Sequence, residues 1–356
     1  MPTPRLAVVG AGAFGRNHCR VIHESERAEL AAVVDTDAGR AAEMASAYQC
    51  LALTSASELR GRVDAAIVAV PTAAHEEVAC LLLEAGIDVL VEKPIAPDAA
   101  AATRIIDTAA RNGRILQVGH LERFNPAVME LERRVTLPLF FEIHRLNVFS
   151  PRSLDVDVVL DLMIHDVDIV LALTNSEPDE IRAAGVRVLS DRVDIANVRL
   201  QFPNSCVANL TASRVSTERV RKLRLFQPKQ YLSLDCGRKD LAIFSVGEER
   251  QIGFEQAQVL KSEPLKLQFE AFLDSIGTRK TPKCNGVRAR RPPPDGSGFR
   301  VRPVPARRSA DPARDWPRSS AEAATRRSSG GERLPQAGCR RATSRASRSV
   351  AGLSGN

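Results

Sequence analysis

Three side chains of this 356-residue chain have types and positions suited to proton chemistry: Lys93, Asp161 and His165. Lys93 follows the apolar run 88–92 and precedes Pro94. A lysine is costly to leave on the edge of a buried parallel sheet, and a proline there ends the strand. An amine at the carboxyl end of such a strand faces the crevice where open α/β sheets bind their ligands. Asp161 and His165 stand four residues apart in the stretch 158–173, which predicts a helix carrying both on one face. A carboxylate one turn from an imidazole can accept its N–H, fix its tautomer and raise its basicity; Asp168 is a second candidate for that task. A single histidine on an apolar helix is more often a satisfied core residue, but the Asp-x-x-x-His pair with a strand-end lysine favours catalysis.

A second constellation lies upstream. Gly10-Ala11-Gly12-Ala13-Phe14-Gly15 fits G-x-G-x-x-G, with Gly10 for the tight turn, Gly12 for approach of a pyrophosphate and Gly15 for close helix packing. The amides of the helix that opens at Ala13 and Phe14 would face the phosphates. The motif follows an apolar run and has Asp35 at the end of the next one, which separates it from a glycine turn with no nucleotide. Asp35 would accept from ribose hydroxyls and repel a 2′-phosphate. The residues that follow it directly, Thr36-Asp37-Ala38, include no arginine, so NAD is expected over NADP.

The elements that position these groups are legible as alternation. Apolar runs at 6–10, 30–35, 64–70, 88–92 and 115–119 are separated by helical stretches near 13–23, 38–48, 74–85 and 98–112. Short apolar strands alternating with helices imply a parallel sheet covered on both faces. Beyond 120 the pattern changes to helices at 126–134 and 158–173 among strands at 139–146, 181–189, 195–202, 207–213, 222–227, 231–235 and 241–246. The expected fold is α/β: an N-terminal Rossmann domain over 1–120, then an α+β domain with a mostly antiparallel open sheet over 121–284. The helix at 265–276 is the last expected element.

The tail, 285–356, breaks the pattern. From Val287 it holds sixteen arginines, no lysine and five acids, so the preceding residues carry 34 bases against 38 acids. The basic balance belongs to the tail, and no nucleic-acid partner is expected for the body. Arginine without lysine suggests a GC-rich gene read out of frame; a disordered basic arm is the alternative. Seven scattered cysteines without a C-x-x-C pair argue against a metal site and fit reduced thiols. Residues 1–5 run straight into the first strand, and no apolar run is long enough for a membrane, so a cytoplasmic protein is expected.

The glycine loop, Val70-Pro71-Thr72-Ala73-Ala74-His75, Glu92-Lys93-Pro94 and Asp161-x-x-x-His165, in this order over roughly 5–280, resemble the NAD(P)-dependent glucose–fructose oxidoreductase, inositol dehydrogenase and MocA-type family. The resemblance implies that Lys93, Asp161 and His165 surround the carbon that loses hydride, and that Pro71, Thr72, His75, Glu92 and Lys93 itself lie at the cofactor. His165 then becomes the favoured base and Lys93 the stabiliser of the alkoxide, with the reverse assignment open. Segments 118–126, 144–146, 157–166, 194–197 and 211–214 further resemble the branch that oxidises the C3 hydroxyl of UDP-N-acetylglucosamine. That branch implies a nucleotide-sugar substrate, a downstream aminotransferase and a dimer or tetramer. By the same analogy Arg123, Asn125, Arg145, Arg152 and Arg214 are candidates for substrate binding, against ordinary salt bridging. Another sugar or cyclitol dehydrogenase, or an NAD-binding regulator without turnover, are the alternatives. His18 and His120 could line the cleft or be structural.

Overall fold

The computed structural model describes residues 3–150 and 156–286, and the backbone of Arg302 and Pro303. Arg152 lies outside the described residues, and so does the tail from Val287, apart from the backbone of Arg302 and Pro303, with the expectation of disorder placed on it.

Six strands, β1 (Arg5–Val9), β2 (Glu29–Val34), β3 (Leu51–Leu53), β4 (Ala65–Val68), β5 (Asp88–Glu92) and β6 (Leu116–Gly119), form a wholly parallel sheet in the order β3-β2-β1-β4-β5-β6. This is the Rossmann order, with its switch point between β1 and β4. The apolar runs are unbroken because both faces are covered. Helices α3 (His75–Glu84) and α4 (Ala99–Arg111) bury Leu82, Leu83 and Ile105 against Val9, Val68 and Val91. On the opposite face α1 (Ala13–His23) and α2 (Ala38–Tyr48) bury Ile22 and Met44 against Val8, Ile67 and Leu90. Asp37 and Asp98 cap α2 and α4 by accepting the amides of Arg40 and Ala101. β3 was not foreseen: three residues with little burial carry no periodic signal.

After α5 (Pro126–Arg134) comes the second sheet: β7 (Phe140–Val148), β8 (Glu180–Val186), β9 (Ile195–Gln201), β10 (Val207–Ser216), β11 (Val220–Gln227), β12 (Gln230–Asp235), β13 (Asp240–Val246) and β14 (Ile252–Gln256). Their order is β14-β13-β12-β11-β7-β10-β9-β8, and the two-residue strand Arg302–Pro303 adds beside β8. Pairing is antiparallel except between β7 and β10 and at that short strand. Alternation buries Phe141, Ile143, Val198, Leu200, Leu223 and Leu225 against α5 and α6 (Ile164–Thr174). The other face carries a row of aromatic rings in register, from Phe140 through Phe226, Tyr231 and Phe244 to Phe254. β14, exposed along its whole length, is a further strand that the sequence pattern did not reveal.

The last helix, α7 (Pro264–Thr278), departs from its place in the chain. Its Phe269, Phe272 and Leu273 pack on Leu6, Val8 and Ile22, so it completes a face of the first sheet. Arg27 pairs with Glu270 and Asp274, and Arg279 with Asp88, along the same seam. No helix among the described residues is long and apolar enough to cross a membrane. The six cysteines among them are all free thiols.

Candidate active site

The nucleotide end is built by three glycines with separate duties. Gly10 turns at φ +105°, and a Cβ on it would lie 2.5 Å from the Ala69 carbonyl oxygen. A Cβ on Gly15 would lie 1.8 Å from the Gly10 carbonyl oxygen, so the helix cannot approach the strand with any side chain there. A Cβ on Gly12 would meet nothing within 4 Å. The fold itself requires Gly10 and Gly15; Gly12 leaves open space at the N-terminus of α1, beside Ala13 and Phe14, as a pyrophosphate would need. Gly12→Ala should therefore keep the thermal midpoint of unfolding while weakening NAD binding at least about tenfold, roughly 1.4 kcal/mol. Gly15→Ala should lower both, and thermal melts with and without NAD distinguish the two.

Asp35 ends β2 with a buried carboxylate that accepts the amides of Ala11 (2.8 Å) and Asp37 (2.9 Å). Arg40, in the first turn of α2, also donates to it (2.8 Å). Burial opposes the charged form of Asp35, but Arg40 and the two amides outweigh it and hold the carboxyl below the ordinary aspartate range. An arginine does reach Asp35, one helical turn later than the residues directly following it.

At the carboxyl end of β5, Lys93 is joined to Pro94 by a cis peptide. Its Nζ donates to the carbonyl oxygen of Asp161 (2.9 Å) and stands 3.8 Å from Asp161 Oδ1. Burial lowers the Lys93 pKa, with the carboxylates of Asp161 and Glu92 opposing. Glu92 Oε1 accepts from His18 Nε2 (2.7 Å) and Oε2 from the Lys93 amide (3.2 Å). His75 is buried, with Nδ1 2.9 Å from the Pro94 carbonyl oxygen and Nε2 3.0 Å from that of Val70. Its ring spans the carbonyl oxygens that follow β4 and β5. Pro71 and Thr72 form the turn between these loops.

The Asp161–His165 pair needs a correction. Val159–Met163 winds as a π-helical turn before α6 begins. His165 Nδ1 is buried with no hydrogen-bond partner among the described residues, and Asp161 faces Lys93 instead. Asp168, the second candidate partner, lies 3.5 Å from Arg123. Burial pushes the His165 pKa well below its ordinary value, and the cations of Lys93 and Arg145 push it further.

Residues 4–120 match the GFO/IDH/MocA oxidoreductase family, NAD-binding Rossmann fold, and residues 141–230 match the GFO/IDH/MocA C-terminal domain. The UDP-N-acetylglucosamine 3-dehydrogenase of Acidithiobacillus ferrooxidans is 37% identical over 293 residues, 81% of this chain and 93% of that one. The chain belongs to the GFO/IDH/MocA oxidoreductases. The solved structure of that relative superposes with a TM-score of 0.77 at 37% identity, covering 82% of this chain and 94% of the other. An inositol 2-dehydrogenase of Corynebacterium glutamicum is 31% identical over 183 residues, 48% of this chain and 54% of that one. The GFO/IDH/MocA chain described here is thus an NAD-binding oxidoreductase.

The cations proposed for substrate are bound internally in this GFO/IDH/MocA chain. Arg145, 3% exposed, grips both oxygens of Asp166 (2.8 and 2.7 Å) and lies 3.1 Å from Glu122. Arg123 is held by Glu132 and Asp168. Arg214 donates to Asp194, Ser190 and the Val156 carbonyl oxygen. Asn125 caps α5 and donates to the Cys236 carbonyl oxygen and Glu122. These four are framework residues rather than contacts for a diphosphate. Arg145→Met should cost about 3–5 kcal/mol in denaturant unfolding, because it strands the buried Asp166 without its cation and leaves Glu122 only the longer pair with Arg221. Lysine should not restore it, since it lacks the bidentate fork.

One site residue was given no chemistry by the sequence reading, and another escaped it. His120 follows β6 with Nδ1 buried and unpartnered among the described residues, and burial lowers its pKa. Its place at a strand's carboxyl end was the available signal. Arg221 lies directly opposite Arg145 across β11 and β7, about a third exposed, 3.6 Å from Glu122, and its charge reaches His165. Nothing in its local sequence marked it.

Proposed function

We propose that this chain oxidises the C3 hydroxyl of UDP-N-acetylglucosamine to the ketone. The carrying observation is the 37% identity, over most of both chains, to a relative of that activity. The placement of Lys93, Asp161 and His165 at the carboxyl edge of the first sheet is consistent with it. NAD, held by Gly10, Gly12, Ala13, Phe14, Gly15 and Asp35, supplies a hydride acceptor. Neutral His165 takes the hydroxyl proton, and the Lys93 ammonium hydrogen-bonds the oxygen as it gains charge, with Asp161 fixing that ammonium. Arg221 is the partly open cation suited to the diphosphate, in place of Arg123, Arg145 and Arg214. On this reading residues 1–120 serve the nucleotide and 121–284 the sugar.

The 3-keto product is a substrate for transamination, which places an aminotransferase downstream, and cytoplasmic location is part of the same reading. The aromatic row on the open sheet face is the proposed contact between copies of the chain, since Phe226 and Phe254 are exposed. The test is NAD reduction, followed by absorbance of the reduced nicotinamide, with UDP-sugars, free sugars and inositols. Turnover of inositol or a free sugar but not UDP-N-acetylglucosamine would overturn the substrate.

A further inference from the structure

The pair His18 and Glu92 lies outside the reaction chemistry above, yet it is built with unusual constraint. His18 sits on α1 with 1% exposure, and its Nε2 meets Glu92 Oε1 at 2.7 Å. Its Nδ1 is buried with no partner among the described residues, so the ring's one polar attachment is Glu92. Glu92 is paired in register with Gly119 of β6, and a Cβ on Gly119 would lie 2.8 Å from Glu92 Oε2. The carboxylate therefore lies across a glycine that leaves room for it. Its second oxygen accepts the amide of Lys93, the next residue.

We infer that His18 is a positioning residue that acts through Glu92 on Lys93. Among the described residues the imidazole is the only side chain that bonds this carboxylate, and it comes from the helix that carries the glycine loop. It thereby ties the nucleotide-binding helix to the lysine's own backbone. The groups facing Lys93 are Asp161 and His165 from the π turn and α6, Glu92 from β5, His120 after β6 and Arg145 from β7. Of the two carboxylates, Asp161 is reached by the ammonium directly. Glu92 acts by its field and by its hold on the amide. A Glu92 released from His18 can turn toward solvent, and Lys93 then loses part of the negative potential that favours its charged form.

The inference rests on the reading of Lys93 as a site residue, so its test requires no turnover. Amine labelling of Lys93 across a pH series, read by peptide mass spectrometry on the full chain, reports its titration in the absence of substrate. His18→Met, which fills the volume without a donor, should move that titration roughly half a unit to one unit lower, as should Glu92→Gln. The double variant should move it no further than Glu92→Gln alone. His18→Gln, whose amide can donate to Oε1, should return it toward wild type. An unchanged Lys93 titration in His18→Met, or a full additional shift in the double variant, would overturn the inference. A lowered thermal midpoint with no shift would assign His18 to packing alone. Labelling that behaves as expected in a chain inactive on every sugar would leave this inference standing and sink the substrate reading.

Discussion

Lys93→Met is expected to reduce kcat by about a thousandfold, the scale of losing one donor to a developing oxyanion. Affinity for NAD should change less than about threefold, because the nucleotide contacts proposed at Gly12 and Asp35 lie in the loops after β1 and β2. The side chain is held where it can act, by the Asp161 carbonyl oxygen at 2.9 Å and the Asp161 carboxylate at 3.8 Å. Methionine keeps the length and the apolar stem while removing the charge. Stopped-flow turnover on the sugar found by the substrate panel, alongside an equilibrium NAD titration, separates the two effects. More than a tenth of wild-type kcat in the variant would remove Lys93 from the chemistry.

His165→Asn should reduce kcat by about a hundredfold or more, the usual range for a positioned general base. It should also alter stability in a defined pH window. The folded-state pKa of His165 lies well below the ordinary value, first through burial and then through Lys93 and Arg145. Between the two values the unfolded chain binds a proton that the folded chain does not, so unfolding takes up a proton and stability falls as pH drops. The contribution is complete above the ordinary histidine value of 6.5 and declines below it. His120, lowered in the same direction, adds to the slope. Denaturant unfolding at a series of pH values from neutral to mildly acidic should show a flatter profile for His165→Asn than for wild type. An equally steep profile would mean that His165 is not held neutral in the fold.

Neutral His165 is available across the ordinary working range, but the same cations that keep it neutral make it a modest base. Lys93, Arg145 and Arg221 also favour an anionic oxygen near them. Proton removal and alkoxide stabilisation are thus coupled through one electrostatic field. An anionic substrate entering beside Arg221 would offset part of that field and raise the imidazole's affinity for a proton.

How far the sequence could be read depends on the range of the interaction involved. The glycine loop and Asp35 are specified within one βαβ unit, and their context identified both the fold and NAD. Alternation revealed the second sheet because one face is buried and the other is not. It failed at β3, which is too short, and at β14, whose five residues are all exposed. The four-residue spacing of Asp161 and His165 pointed to a hydrogen-bonded pair, but the buried His165 Nδ1 has no partner among the described residues and Asp161 stands beside Lys93.

By itself, then, the sequence determined the parallel sheet, its nucleotide loop and the positions of a lysine, an aspartate and a histidine with catalytic potential. Those follow from local periodicity, glycine geometry and short spacings. Only the tertiary structure decided which charges remain open. Arg145 meets Glu122 and Asp166, Arg123 meets Glu132 and Asp168, and Arg214 meets Asp194, in each case across separate elements. It also returned Arg40 to Asp35, set α7 on the first sheet and bound His18 to Glu92. Ion pairs and buried hydrogen bonds depend on where distant strands and helices come to rest, and no local pattern in the chain encodes that.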